Sequence, residues 1–82
     1  MKRVHELKIL PQYFVAVAAG RKTFEIRKND RDFQVGDEVV LKEWDNEYTG
    51  QEVEAVILFV TDYEQKEGYV VFSIQLKRWQ AL

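Results

Sequence analysis

The sequence contains no cysteine and a single histidine, His5. Without cysteine the chain has no disulfide framework, no thiol nucleophile and no cysteine zinc site. A histidine-based metal site would have to use His5, and one histidine without an organised set of carboxylates does not make a zinc site. We therefore expect neither a metal nor a cofactor.

Long apolar runs are also absent. No stretch approaches the roughly 18 apolar residues that a membrane span needs, and the first ten residues lack the apolar core and small-residue cleavage site of a signal peptide. We expect a cytoplasmic protein with no membrane partner. The 82 residues, 46% of them hydrophobic, suffice for one small core, so we expect one domain over residues 1–82.

The net charge of −2 conceals an asymmetry along the chain. Residues 1–31 carry eight basic and three acidic side chains, a balance of +5, whereas residues 32–82 carry four basic and eleven acidic ones, a balance of −7. An acidic overall field repels long duplex nucleic acid, but a local cationic cleft remains compatible with it. The alternative is a chance segregation of solvated charges.

The pattern of apolar residues predicts one strand, one short helix and then four strands. Pro11 suits the first turn of a helix and Gly20 the position just past its end. After Gly20 the period changes to two, which gives a strand with an apolar face and a charged face. The predicted strands cover residues 4–9, 23–27, 38–44, 53–61 and 69–77, and the helix covers residues 11–19.

Five strands and one helix cannot form a doubly wound sheet. A flat sheet of this size would expose two edges and one bare face, and curling it into a small barrel removes that problem. We therefore predict an α+β fold, a small β-barrel of about five strands with one short helix after the first strand.

The most informative segment is residues 20–31, GRKTFEIRKNDR. Lys22, Glu25 and Arg27 lie close together where the chain leaves the helix, and the last two share a strand face. The planar fork of Arg27 suits a phosphate or a base edge. Glu25 would accept a hydrogen bond from an exocyclic amine or orient Arg27. The plainer interpretation is an exposed ion pair that contributes less than about 1 kcal/mol.

The spacing Gly20-x-Lys22-x-x-Glu25-x-Arg27 resembles the G-x-K-x-x-E-x-R signature of ASCH domains, which belong to the PUA-like superfamily. Nearly the whole chain, including FQVGD at 33–37 and GYVVFSI at 68–74, resembles a compact ASCH-like family of unknown function found in bacteria and phages. The resemblance implies a PUA-like β-barrel whose cleft is lined by the signature, and a role in binding RNA or a nucleotide-like ligand.

Further residues extend this candidate site, each with a structural alternative. Arg31 would contact phosphate at the rim or belong to a turn, His5 would line the cleft or be a buried structural histidine, and Trp44 would stack on a base or pack in the core. The candidate ligand-binding residues are Lys22, Thr23, Glu25, Arg27, Arg31, His5 and Trp44.

Two other functions stay open. Some ASCH-type proteins hydrolyse the amide of an acylated cytidine, and Lys22 matches the lysine of their motif, with Glu25 as a possible general base. Glu25 stands, however, where those hydrolases have threonine, which counts against this activity. A protein-interaction or regulatory role is the third possibility, and the sequence does not specify the oligomeric state.

Overall fold

The computed structural model describes residues 3–80, and the side chains of residues 3–77. The elements follow the predicted order of one strand, a short helix and four strands, and β4 begins earlier than predicted. Their bounds are β1 Val4–Ile9, α1 Pro11–Ala18, β2 Phe24–Lys28, β3 Glu38–Trp44, β4 Tyr48–Thr61 and β5 Tyr69–Gln80.

The five strands form one sheet in the order β1-β3-β4-β5-β2. β1 runs parallel to β3, and every other neighbouring pair is antiparallel. The register of β4 shifts between Glu54 and Ala55 and again between Ile57 and Phe59, and such bulges bend a strand and increase its twist. The sheet curls into a half-barrel, which confirms the predicted fold class.

β1 and β2 are the two edges of this half-barrel, and we call the gap between them the seam. Two arginine side chains bridge it by donating to backbone carbonyls of β1. Arg27 Nη2 lies 2.7 Å from the oxygen of Lys8, and Arg31 Nη1 lies 3.0 Å from the oxygen of Glu6. Side-chain hydrogen bonds thus join the two edges where a closed barrel would have a backbone ladder.

The helix covers the core beside the seam. Phe14 and Val17, three residues apart, are each 2% exposed and face the sheet. Gly20 has a φ of +77°, the left-handed conformation that ends a helix and that glycine adopts without steric cost. Backbone N–H groups of Arg21 and Lys22 donate to the oxygen of Ala16, which directs the chain into β2.

Most core residues are alternate positions of the strands, as the sequence predicts for β1 and β3. The buried hydrophobic residues are Leu7, Ile9, Phe14, Val17, Phe33, Val39, Leu41, Val53, Ala55, Ile57, Val70, Phe72 and Ile74.

β2 departs from the usual hydrophobic-in arrangement. Its glutamate, Glu25, is 4% exposed, whereas Phe24 and Ile26 are 42% and 54% exposed. The charged face of the strand therefore points inward and the apolar face outward. This reversal places charged groups at the seam.

Candidate ligand-binding pocket

A pocket of about 540 Å³ opens at the seam, between the end of β1, the free edge of β2 and helix α1. Its volume lies within the range of about 300–1,000 Å³ that is typical of small-molecule sites. The lining residues are Lys8, Ile9, Leu10, Tyr13, Lys22, Phe24, Glu25, Ile26, Arg27, Lys28 and Tyr69.

A buried carboxylate holds two cations in this pocket. Arg27 Nε donates to Glu25 Oε1 at 3.0 Å, the Arg27 Nη2 atom lies 2.9 Å from the same oxygen as an ion pair, and Lys22 Nζ donates to Oε2. The side chain of Glu25 is 5% exposed, that of Lys22 18% and that of Arg27 24%. Burial of a carboxylate is tolerated only when it is paired and hydrogen-bonded, so these contacts are required by its position. The cluster is not the solvated ion pair of the plainer interpretation.

Local structure explains why these three groups meet. The two-residue period of β2 puts Glu25 and Arg27 on one face, and the turn after α1 places Lys22 just before the strand. Lys22 Nζ also donates to the carbonyl of Phe24 at 2.7 Å, which fixes the ammonium group at the edge of β2. The predicted convergence of Lys22, Glu25 and Arg27 therefore occurs in the structure.

The walls of the pocket combine aromatic rings and further cations. Tyr13 is 47% exposed, and the Lys22 ammonium lies 5.7 Å from its ring centroid and 4.8 Å from that of Phe24. Lys28 and Tyr69 are register partners on β2 and β5 and so lie side by side. Four of the lining residues are cationic and one is anionic, a balance of +3.

The structure does not bring all the predicted residues into the pocket. Arg31 binds the carbonyl of Glu6 on the seam and is not among the lining residues. Thr23 is exposed, and its backbone oxygen accepts from the N–H of Ile74 at 3.0 Å. Both residues are close in sequence to residues that line the pocket, but Arg31 is hydrogen-bonded to β1 and Thr23 to β5.

His5 and Trp44 also lie elsewhere. His5 is 6% exposed, its Nε2 lies 2.9 Å from Asp37 Oδ2, and its ring packs against Phe33 with centroids 4.9 Å apart. Trp44 is half-buried, with Lys8 Nζ 3.9 Å from its ring centroid. The contacts of His5 are those of a structural histidine, and Trp44 adjoins the pocket only through Lys8.

Sequence reasoning missed several pocket residues. Lys8, Tyr13 and Lys28 look like ordinary exposed positions of an edge strand and a helix, and only the approach of β1 to β2 makes them neighbours. No local pattern signals them.

Two buried carboxylates outside the pocket were also missed. Glu43 is 8% exposed, and its Oε1 accepts from Thr49 Oγ1 at 2.7 Å. Asp37, which directly precedes β3, is 4% exposed.

The environment of Asp37 lowers its pKa. Burial acts to raise the pKa of this carboxyl group. Hydrogen bonds from His5 and from the backbone N–H groups of Gln34 and Arg3, together with the Arg3 charge, outweigh burial and bring the pKa below its ordinary value. Asp37 therefore stays ionised and fastens β1 to the turn that precedes β3.

Among residues 3–80, no three histidine, cysteine, aspartate or glutamate side chains are grouped as a metal would require. Helix α1, the one helix in that range, is too short to cross a bilayer.

Fold and pocket together define a small domain with a curled mixed sheet and a charged pocket at its open seam. The chain belongs to a family described as a domain of unknown function (DUF3850), whose profile matches residues 4–74. It is also 42% identical over 73 residues to the "Uncharacterized 12.9 kDa protein in GpA 3'region" of Escherichia phage P2. That similarity spans 87% of this chain and 67% of the phage protein. Membership of a family of unknown function with a phage relative is thus confirmed.

Proposed function

We propose that this chain is an RNA- or nucleotide-binding module of the ASCH and PUA-like type, and that its ligand occupies the pocket at the seam. The observation that carries the proposal is the Lys22–Glu25–Arg27 cluster, in which a buried glutamate holds two partly exposed cations that line an accessible pocket. These are the residues at which the sequence resembles the ASCH signature. Charged side chains that serve only solubility lie exposed on the surface, whereas the side chain of Glu25 is 5% exposed.

The charge of the pocket favours an anionic ligand. Its lining balance of +3 contrasts with the −2 of the whole chain, so the pocket attracts anions locally while the rest of the surface repels a long polyanion. This combination suits a mononucleotide or a few nucleotides of single-stranded RNA and disfavours a long duplex.

The aromatic walls favour a ligand that contains a base. Tyr13 and Tyr69 line the pocket beside cationic side chains, and stacking of a base on an aromatic ring contributes about 1–3 kcal/mol. Single-stranded RNA is recognised mainly by such stacking together with hydrogen bonds to base edges.

An NMR titration tests the proposal directly. The ¹⁵N-labelled domain is titrated with nucleosides, nucleotides and short RNA oligomers. We expect chemical-shift changes at residues 8–13 and 22–28, and weaker binding by Lys22→Met. Arg21→Ala is the matched control, because Arg21 is an exposed cation next to Lys22 that does not line the pocket. The absence of shifts with every ligand class would refute the proposal and make a protein-interaction role the leading alternative.

Amide hydrolysis is a second candidate, favoured by the direct contact between Lys22 and Glu25 inside the pocket. In this reaction water adds to the acyl carbon of an acylated cytidine, the C–N bond breaks, and a carboxylic acid and the free amine of cytidine are released. Chromatography of acylcytidine incubated with the wild type and with Glu25→Gln tests it. Release of cytidine by the wild type and not by the variant would establish hydrolysis, and an unchanged substrate would exclude it for that acyl group.

A further inference from the structure

We infer that Glu25 is a positioning residue that does not contact the base of the ligand, and that the pocket binds a phosphate group through Lys22 and Arg27. The inference rests on the proposed function and deepens it, since it states that the ligand carries a phosphate group. Neutral nucleosides should accordingly bind more weakly.

The contacts of Glu25 support the first half of this inference. Oε1 accepts a hydrogen bond from Arg27 Nε and Oε2 accepts one from Lys22, and the side chain of Glu25 is 5% exposed. Because this side chain is only 5% exposed and a cation lies against each of its oxygens, little of the carboxylate is left for an exocyclic amine of a base to reach. Glu25 is therefore placed to orient the cations.

The donors of Lys22 and Arg27 support the second half. An ammonium group has three donors and a guanidinium group has five. Lys22 uses one on Glu25 and one on the carbonyl of Phe24, which leaves a third. Arg27 uses Nε on Glu25 and Nη2 on the carbonyl of Lys8, and neither of these bonds occupies its Nη1.

The donors that remain belong to two partly exposed cations that share Glu25 and line the pocket. With Glu25 included, the cluster still carries a net charge of +1. Hydrogen bonds from cations to an anion are about twice as strong as neutral ones, and a phosphate oxygen is the natural acceptor for this arrangement.

A second cationic position of the pocket is Lys28, which follows Arg27 on β2. Lys28 is the register partner of Tyr69, so a cation and an aromatic ring lie side by side there. A nucleotide likewise combines a phosphate and a base. The pocket thus offers places for both parts of one nucleotide.

The experiment compares ligands that differ only in phosphate. The wild type is titrated with cytidine, cytidine 5′-monophosphate and inorganic phosphate, and with an RNA trinucleotide that carries either a 5′-phosphate or a 5′-hydroxyl. We expect the monophosphate to bind at least about tenfold more tightly than cytidine, which corresponds to about 1.4 kcal/mol. In Lys22→Met this preference should fall to about twofold or less, whereas Arg21→Ala should retain it. The trinucleotide pair distinguishes a terminal phosphate from a backbone phosphate as the bound group.

Glu25→Gln tests the positioning role through a ratio of affinities. If Glu25 does not touch the base, the ratio of the Kd values of cytidine and uridine monophosphates stays within about twofold of the wild-type ratio, even where both affinities change. A selective loss of the amine-bearing base would show that Glu25 reads the base, and equal binding of cytidine and its monophosphate would show that no phosphate is held. Either result overturns the inference while leaving nucleotide binding intact. Lys22→Met keeps the phosphate test available if Glu25→Gln does not fold.

Discussion

Replacement of Asp37 by alanine should destabilise the domain strongly, although Asp37 lies outside the pocket. Its carboxylate lies 2.9 Å from His5 Nε2, 3.1 Å from the N–H of Gln34 and 3.2 Å from Arg3 Nη2. These contacts join β1 to the turn before β3 across more than 30 residues of chain. Alanine at position 37 removes them all at once.

The structure sets the expected magnitude of this effect. A buried polar group left without its partner costs about 1–3 kcal/mol, and Asp37→Ala leaves the buried His5 and the partly buried N–H of Gln34. The Arg3 side chain is 46% exposed and adds less than about 1 kcal/mol. We therefore expect a loss of about 3–4 kcal/mol from a total that is about 4–12 kcal/mol for a chain of this length.

Urea unfolding followed by circular dichroism measures this loss. With an m value of about 1–1.5 kcal/mol/M, the midpoint should fall by about 2–4 M at unchanged m. The control is Asp62→Ala, because Asp62 is exposed and makes only a backbone hydrogen bond, from its oxygen to the N–H of Gln65. A loss below 1 kcal/mol for Asp37→Ala, or an equal loss in the control, would refute the reasoning.

The lowered pKa of Asp37 also makes this contribution dependent on pH. Because the folded-state pKa lies below the unfolded value of about 3.9, the stabilisation is fully present above that value and is lost as the pH falls through the folded pKa. Asp37→Asn removes the titrating group. The stability difference between the wild type and Asp37→Asn should therefore shrink as the pH falls below about 4. A difference that stayed constant down to pH 2 would contradict this assignment.

Three further substitutions test the fold and the seam by urea unfolding. Arg27→Ala leaves the buried Glu25 with one cation and should cost about 2–3 kcal/mol. Arg31→Ala should cost less, because the side chain of Arg31 is 45% exposed, and equal losses would argue against the buried pairing. Phe14→Ala should cost about 3–5 kcal/mol because this ring is 2% exposed, and a loss below 1 kcal/mol would show that α1 does not pack as described. Gly36→Ala should cost about 1–2 kcal/mol from backbone strain alone, since its φ is +94° and nothing lies within 4 Å of an added Cβ, and a neutral effect would contradict that conformation.

The order of elements was predictable because each carries its own local signal. These signals depend only on neighbours a few positions away in the chain. They are the alternation in residues 4–9, the Pro11 and Gly20 that bound the helix, and the alternation of the later strands. The start of β4 at Tyr48 was not predicted, because TGQ interrupts the apolar pattern and resembles a loop. In the sheet, Trp44 pairs with Tyr48, and the tight hairpin between them extends the strand.

The orientation of β2 could not be read from its sequence. Apolar and charged residues alternate regularly along β2. The apolar face, with Phe24 and Ile26, would ordinarily turn toward a core. What decides the orientation is non-local. The carbonyl of Lys8 on β1 accepts from Arg27, and the turn after α1 positions Lys22 on the other side of Glu25. Similarly, Asp37 is buried because His5, 32 residues earlier, lies beside it.

The seam connects the fold to the proposed function. Backbone pairing of β1 with β2 would close the barrel and satisfy the carbonyls of Glu6 and Lys8 with short hydrogen bonds. Arginine side chains satisfy them instead, and their length keeps the two edges apart, which leaves room for a pocket of about 540 Å³. A buried charged cluster is often no more stabilising than apolar residues of similar volume. Maximal stability therefore does not explain why this edge carries Lys22, Glu25 and Arg27, whereas a requirement to hold cationic donors at an open pocket does.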